Sequence, residues 1–169
     1  PPEAVADFET VWAVSAAAAP VPPDREHLLR PLTRHLRERG RAVSAPAFAG
    51  SLAALNSYAR QGIAATAHLD AVLTPTLAML PRPVGWFQQP DGDPAQDFER
   101  QKRFTPFTAI YNTTGQPAIS LPLFWSRDGL PIGIMLVGRP GGEAPLLSLA
   151  AQLEAALPWQ DRHPPIWSS

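Results

Sequence analysis

Cysteine is absent from the 169 residues of this chain, and with it go a disulfide framework, a thiolate nucleophile and any zinc or iron–sulfur site built on thiolates. Lysine is nearly absent: Lys102 stands alone among fourteen basic residues. Charged residues of both signs make up only 17% of the chain, and the net charge is −1. A phosphate backbone or an acidic membrane surface is held by many uncompensated Lys and Arg side chains, so neither nucleic acid nor membrane is expected as a partner. Apolar runs stay far below the length of a membrane span. The opening Pro1-Pro2-Glu3 has neither the basic nor the apolar region of a signal peptide, and the expected location is cytoplasmic. An initiator methionine is also missing, which fits numbering that begins inside a longer polypeptide.

Apolar residues are plentiful at 45%, too many for a disordered chain, and the length suits a single domain over residues 1–169. Prolines are abundant, 21 in all, and they punctuate the reading. Glu3 to Ala19 reads as an Ala-rich helix with Phe8, Val11, Trp12 and Ser15 near one face, ended by Pro20-Val21-Pro22-Pro23. Asp24 is placed to cap a second helix running to about Arg41, with Leu28, Leu32 and Leu36 four apart. Pro31 either kinks that helix or marks its true start, and Gly40 closes it. Ser44 caps a third and longest helix, about Pro46 to His68, with Phe48, Leu52, Leu55, Ala59 and Ile63 in one stripe.

The period then changes. Asp70-Ala71-Val72-Leu73-Thr74-Pro75 is a short apolar run stopped by proline, the pattern of a buried strand opening into a loop. From Leu77 to Asp97 the chain is rich in Pro, Gly, Gln and Asp and has no periodicity, so a long loop is expected. Thr105-Pro106 reads as cap and first turn of a short helix ending near Gly115. Residues 117–122 and 132–138 are two further strands joined by a Ser126-Arg127-Asp128-Gly129 turn. Both are apolar at nearly every position, so both faces of their sheet should be covered. Glu143 to Leu157 is a last helix with Leu146, Leu149, Leu153 and Ala156 turned inward, followed by a proline-rich tail.

No local motif supplies a complete active site. The strained strand-to-helix turn of a serine hydrolase needs G-x-S-x-G, and none is present. His27 and His35 are separated by Pro31, while His68 and His163 stand alone, so metal-ligand spacing is lacking and neither metal nor cofactor is expected. Asp91 and Asp93 flank Gly92, a solvated turn rather than an acid/base pair. Gly138 to Glu143 passes from strand to helix without the lysine of a P-loop or the glycine spacing of a dinucleotide site, and reads as a plain turn. Arg30, Arg34, Arg37 and Arg41 share a helical face, but Asp24, Glu26 and Glu38 dilute it, leaving a solvated face.

A family resemblance emerges from longer stretches. Asp70 to Thr76, then Tyr111-Asn112-Thr113-Thr114-Gly115-Gln116-Pro117-Ala118-Ile119-Ser120-Leu121-Pro122, then Gly129 to Gly138 and the helix Leu146 to Glu154 resemble, in order and spacing, the C-terminal portion of the amidase signature family. The tail Trp159 to Pro165 resembles that family's ending. The similarity covers residues 44–166, and residues 1–43 form a helical lead-in.

That resemblance implies an α/β fold class: the C-terminal part of an α/β/α sandwich with a mixed sheet, here about three core strands flanked by helices. It implies hydrolysis of carboxylic amide C–N bonds by a serine activated through a second serine, on a cis peptide, and a lysine, without metal or cofactor. Those groups lie in the family's N-terminal half. In this chain the only adjacent serines are Ser168 and Ser169, and Lys102 lies in the region of the long loop, just past Asp97 and far from any family lysine position. The chain is therefore expected to be catalytically silent by itself and to shape a small-molecule amide pocket in its parent, with Thr74, Thr76, Thr108, Tyr111 and Asn112 as candidate pocket-wall or packing residues. Trp86 and Phe87 either form an apolar lid or anchor their loop.

One departure sorts the subfamilies. The glutamine-using aminoacyl-tRNA amidotransferase subunit carries an acidic residue seven positions before this Asn, and here Thr105 stands there. A neutral group cannot make the charge-assisted contact to a substrate ammonium, so a general amidase is favoured over that alternative. Glu143 keeps a negative charge at the opening of the last helix, where the family often has Asp. A second alternative is a stand-alone binding domain derived from the same fold. Half of a larger fold should expose sheet edges and apolar helix faces, so self-association into a homo-oligomer through an apolar surface is expected.

Overall fold

The computed structural model describes residues 2–88, 92–164 and 166–167, with the side chains of residues 2 and 3 excepted. Helix α1 (Pro2–Ala18) leads into a 3-10 turn (Pro23–Leu28), α2 (Pro31–Arg41) and α3 (Ala45–Thr66). Strand β1 (Ala71–Pro75) is followed by α4 (Pro94–Phe104) and α5 (Ala109–Thr114). Strands β2 (Ala118–Trp125) and β3 (Pro131–Gly138) and helix α6 (Glu143–Ala156) complete it. Among the described residues, no helix is long and apolar enough to cross a membrane.

Proline sets most helix starts. Pro31, Pro46 and Pro94 lie in first turns, where their missing N–H costs nothing and their fixed φ already suits a helix. Pro31 is thus a true start. The expected cap at Asp24 lies inside the 3-10 turn, whose entry carries no side-chain cap. Ser44 does cap α3, its Oγ accepting from the Ala47 amide at 3.3 Å.

Gly40 has a different task from the expected helix closure. It is buried within α2 against α1, where a Cβ would overlap the Ala13 carbonyl and crowd the Ala17 methyl. Ala13 is itself 1% exposed, so two small residues let the helices approach closely. Of the expected α3 stripe, Leu55 and Ala59 are buried, whereas Leu52 is exposed.

The expected long loop is slightly shorter than residues 77–97, because α4 takes its last four residues, 94–97. Asp93 caps that helix, its Oδ1 accepting from Ala95 N at 2.9 Å, and Pro94 and Asp97 fill the first turn. An acceptor, a proline and an acidic residue in this order form a helix-start signal that composition conceals. Asp91, the other half of the Asp-Gly-Asp reading, lies outside the described residues. Thr105 ends α4 instead of opening the next helix: its amide and hydroxyl both donate to the Gln101 carbonyl at 3.0 Å. α5 begins at Ala109, with Thr108 in the cap position before it, and stops at Gly115, whose φ of 69° suits glycine.

The sheet has the order β1-β3-β2, and both neighbours run antiparallel to β3. Its three strands fall where the sequence places them. The Leu121/Phe124 register shift coincides with Pro122, which has no amide to give the ladder. Residues directly opposite share a face, and the face alternates along each strand. Leu121 and Leu136 therefore point together, and with Leu146 and Ala150 of α6 they form a core flanked by Ile119, Leu123, Leu149, Leu153 and Trp159.

Full cover of both faces is not what the structure has. α6 packs on β2 and β3, and on β1 the opposite number of Leu136, Leu73, is 63% exposed. One helix spans two strands and leaves the third without a lid.

Candidate functional site

The five candidate residues fall into two groups. Thr74 and Thr76 belong to the end of β1 and its first loop residue, two apart and so on the same sheet face, opposite to the one that α6 covers. Thr74 faces Met135 across the ladder, and its Oγ1 is enclosed without a hydrogen-bond partner among the described residues. Thr76 is tied twice: its amide donates to the Gly133 carbonyl at 3.0 Å, and its Oγ1 lies 2.6 Å from Ser120 Oγ. Ser120 also faces Met135, from the β2 side.

Thr108, Tyr111 and Asn112 form the second group, at and within α5. The Thr108 carbonyl accepts from both the Tyr111 and Asn112 amides at 3.1 Å, so its backbone opens the helix. The Tyr111 phenol is pushed above its ordinary value by burial, which favours the neutral form. Asn112 is exposed. Among the described residues, no side-chain hydrogen bond joins this group to the sheet hydroxyls.

Sequence reasoning missed Ser120 and Gly133. Alternation along β2 would have put Ser120 on one face with Ala118, but which residues of β1 it meets depends on the register of a strand lying between them. The aromatic pair resolves toward anchoring: Trp86 and Phe87 pack edge to face at 5.0 Å, and Phe87 meets Phe104 at the end of α4 in the same way at 5.0 Å. Arg82 lies 5.0 Å over the Trp86 ring. These contacts fold the loop back on α4.

Charge chemistry lies elsewhere in the chain. Lys102 Nζ, on α4, sits 2.5 Å from both Glu9 and Glu99 carboxylates. Burial alone would lower its pKa, but those hydrogen bonds and charges outweigh it and hold the ammonium above its ordinary value. A lysine in that state is an ammonium that donates hydrogen bonds to two carboxylates, and it is no base near neutral pH.

Arg37 corrects the expectation of a solvated arginine face. It is 3% exposed, forks onto Glu26, and donates to the Ala16 and Ala19 carbonyls at the end of α1. Arg41 also binds Glu26. Glu26 is held below the usual carboxylate range, chiefly by the Arg37 hydrogen bond working against desolvation, with Arg41 adding to it. Among the described residues no group of three or more His, Cys, Asp or Glu is placed to hold a metal ion.

The fold and this distribution define an α/β chain that carries hydroxyls on one sheet face and has its only lysine committed to structure. The amidase family model matches residues 15–147, and the chain belongs to that family. The AmiC protein of Mycobacterium bovis is 46% identical over 96 residues, which are 57% of this chain and 20% of that protein. The 6-aminohexanoate-cyclic-dimer hydrolase of a Pseudomonas species is 55% identical over 62 residues, 37% of this chain and 13% of the enzyme. A solved structure of 6-aminohexanoate cyclic dimer hydrolase superposes with a TM-score of 0.82 at 30% identity, covering 94% of this chain and 36% of that one. The chain thus spans about a third or less of the length of each of these relatives.

Proposed function

We propose that this chain is the scaffold and substrate-pocket wall of an enzyme that hydrolyses carboxylic amide C–N bonds, and that it is inactive by itself. Residues 1–169 act as one unit in this reading, with 1–43 as a helical lead-in packed against the family-like part. The amide-bond chemistry would come from a serine, a cis-peptide serine and a lysine supplied from outside this chain. Thr74, Thr76, Thr108, Tyr111 and Asn112 are the residues proposed to line or brace the pocket.

The observation that carries the reading is the pairing of family membership with the commitment of Lys102. The chain shares its fold along 94% of its length with a hydrolase that, by name, opens a cyclic amide, while its one lysine is locked as an ammonium between Glu9 and Glu99. A serine hydroxyl needs a proton acceptor before it can attack a carbonyl carbon, and a paired ammonium cannot accept one. Ser168 and Ser169, the adjacent serines, lie outside the described residues. The substrates favoured are small aliphatic amides.

The test compares two proteins against a panel of linear and cyclic aliphatic amides: residues 1–169 alone, and the full-length polypeptide in which they are encoded. Hydrolysis by the longer protein alone is the expected outcome. Turnover by residues 1–169 that survives repurification would overturn the scaffold reading, and no turnover by either would overturn the amidase reading.

A further inference from the structure

Thr76 directly follows β1 and Ser120 belongs to β2, and these two strands are not neighbours, since β3 runs between them. Their hydroxyls nonetheless lie 2.6 Å apart. They meet because the β3 residue beneath them is Gly133: a Cβ there would sit 2.8 Å from Ser120 Oγ, 2.8 Å from Thr76 Oγ1 and 3.2 Å from Thr76 Cβ. Any other residue would occupy the space in which the two side chains touch. Glycine within a strand commonly marks such a close approach. From this geometry we infer that Ser120 and Gly133 are positioning residues that hold the Thr76 hydroxyl in one orientation toward the amide substrate. The inference rests on the amidase reading above.

Thr76 stands where the chain leaves the sheet for the loop that leads to α4, so its backbone and side chain have few other restraints. The Gly133 carbonyl fixes its amide, and Ser120 fixes its hydroxyl. Two hydroxyls carry two hydrogens, and their mutual bond uses one. The accepting hydroxyl keeps its own O–H for a third group, and the pair retains free lone pairs. Ser120 is exposed and Thr76 half-buried, so that capacity is open to a ligand. A carboxamide needs a donor for its carbonyl and an acceptor for its N–H, and a hydroxyl pair provides both. Gly133 also borders a shallow apolar cleft with Leu77, Met79, Leu80 and Ile132, which suits the methylene chain of an aliphatic amide.

The test uses the full-length polypeptide, with the 6-aminohexanoate cyclic dimer and hexanamide in the amide panel. Ser120→Ala is expected to raise KM about tenfold with kcat within about twofold, because loss of one orienting hydrogen bond weakens binding more than chemistry. Ser120→Thr retains the hydroxyl and is expected to recover KM to within about threefold. Gly133→Ala is expected to do at least as much damage as Ser120→Ala, and the double variant no more than Gly133→Ala, since both remove the same bond. An active Ser120→Ala enzyme with unchanged KM overturns the inference. So does Ser120→Thr if it is as impaired as Ser120→Ala. Absence of turnover on every amide by the unaltered protein overturns the amidase reading and this inference with it.

Discussion

Between α1, α2 and α4 the contacts run through charge and aromatic rings, whereas around β2, β3 and α6 they run through aliphatic side chains. In the helical region Arg37 joins Glu26 to the end of α1, and Glu9 on α1 binds both Arg39 of α2 and Lys102 of α4. Phe98, 2% exposed, has Trp12 edge-on at 5.4 Å, with Arg39 and Lys102 over its ring at 5.9 and 5.3 Å. In the sheet region the one ion pair among the described residues, Arg139 with Asp70, is at the surface, where such pairs contribute little.

The difference follows from what each segment has to bury. α2 reads Pro-Leu-Thr-Arg-His-Leu-Arg-Glu-Arg-Gly-Arg, with too few apolar side chains to hold two neighbours. Its buried arginine satisfies carbonyls at a helix end instead. β3 reads Pro-Ile-Gly-Ile-Met-Leu-Val-Gly and needs no such help. One region is therefore directional and sensitive to charge, and the other depends on packed volume.

Substitutions can separate the two, and native-state hydrogen exchange would read each region by itself. Leu136→Ala, at a core position 3% exposed, should cost about 4 kcal/mol through lost contact and the cavity left behind. Protection should fall in β2, β3 and α6 first. Equal loss across α1 and α2 would mean the two regions form one cooperative unit.

Arg37→Ala should cost about 3 kcal/mol, since it strands two helix-end carbonyls and removes a buried side chain, leaving Glu26 with Arg41 alone. Here the loss should appear in α1 and α2, with Arg37→Lys recovering only part because it cannot fork. Gly40→Ala should cost about 2 kcal/mol by forcing α2 off the Ala13 carbonyl. Its effect should be indifferent to salt, unlike that of Arg37→Ala.

The smallest effect expected is on pH. Glu26 titrates below its usual 4.5 in the folded chain, so its contribution is complete above that value and is lost as pH falls through the lowered one. Lys102 titrates above its usual 10.5, so its contribution holds below that value and is lost as pH rises through the raised one. Circular dichroism should show the helices loosening at both extremes. Arg37→Ala should flatten the acid limb and Lys102→Met the alkaline limb.

Much of the fold was legible without coordinates. The three strands, the Ser44 cap and the final helix follow from backbone chemistry and local period, which act over a few residues, whereas the sequence left Pro31 open between a kink and a start. α4 was missed because Pro, Gly, Gln and Asp between 77 and 97 read as loop, although Asp93, Pro94 and Asp97 spell a helix start. Arg37 was misjudged because its partners on α1 lie 18 and 21 residues earlier, and no periodicity reports on them.

The candidate site divides in the same way. The sequence alone determined the family, the hydroxyl-bearing strand end at Thr74 and Thr76, and the short helix holding Tyr111 and Asn112, since these are written in contiguous motifs. Only tertiary structure decided that Thr76 meets Ser120, 44 residues away. That contact exists because strand register sets both on one face, and because glycine at 133 leaves the space between them empty.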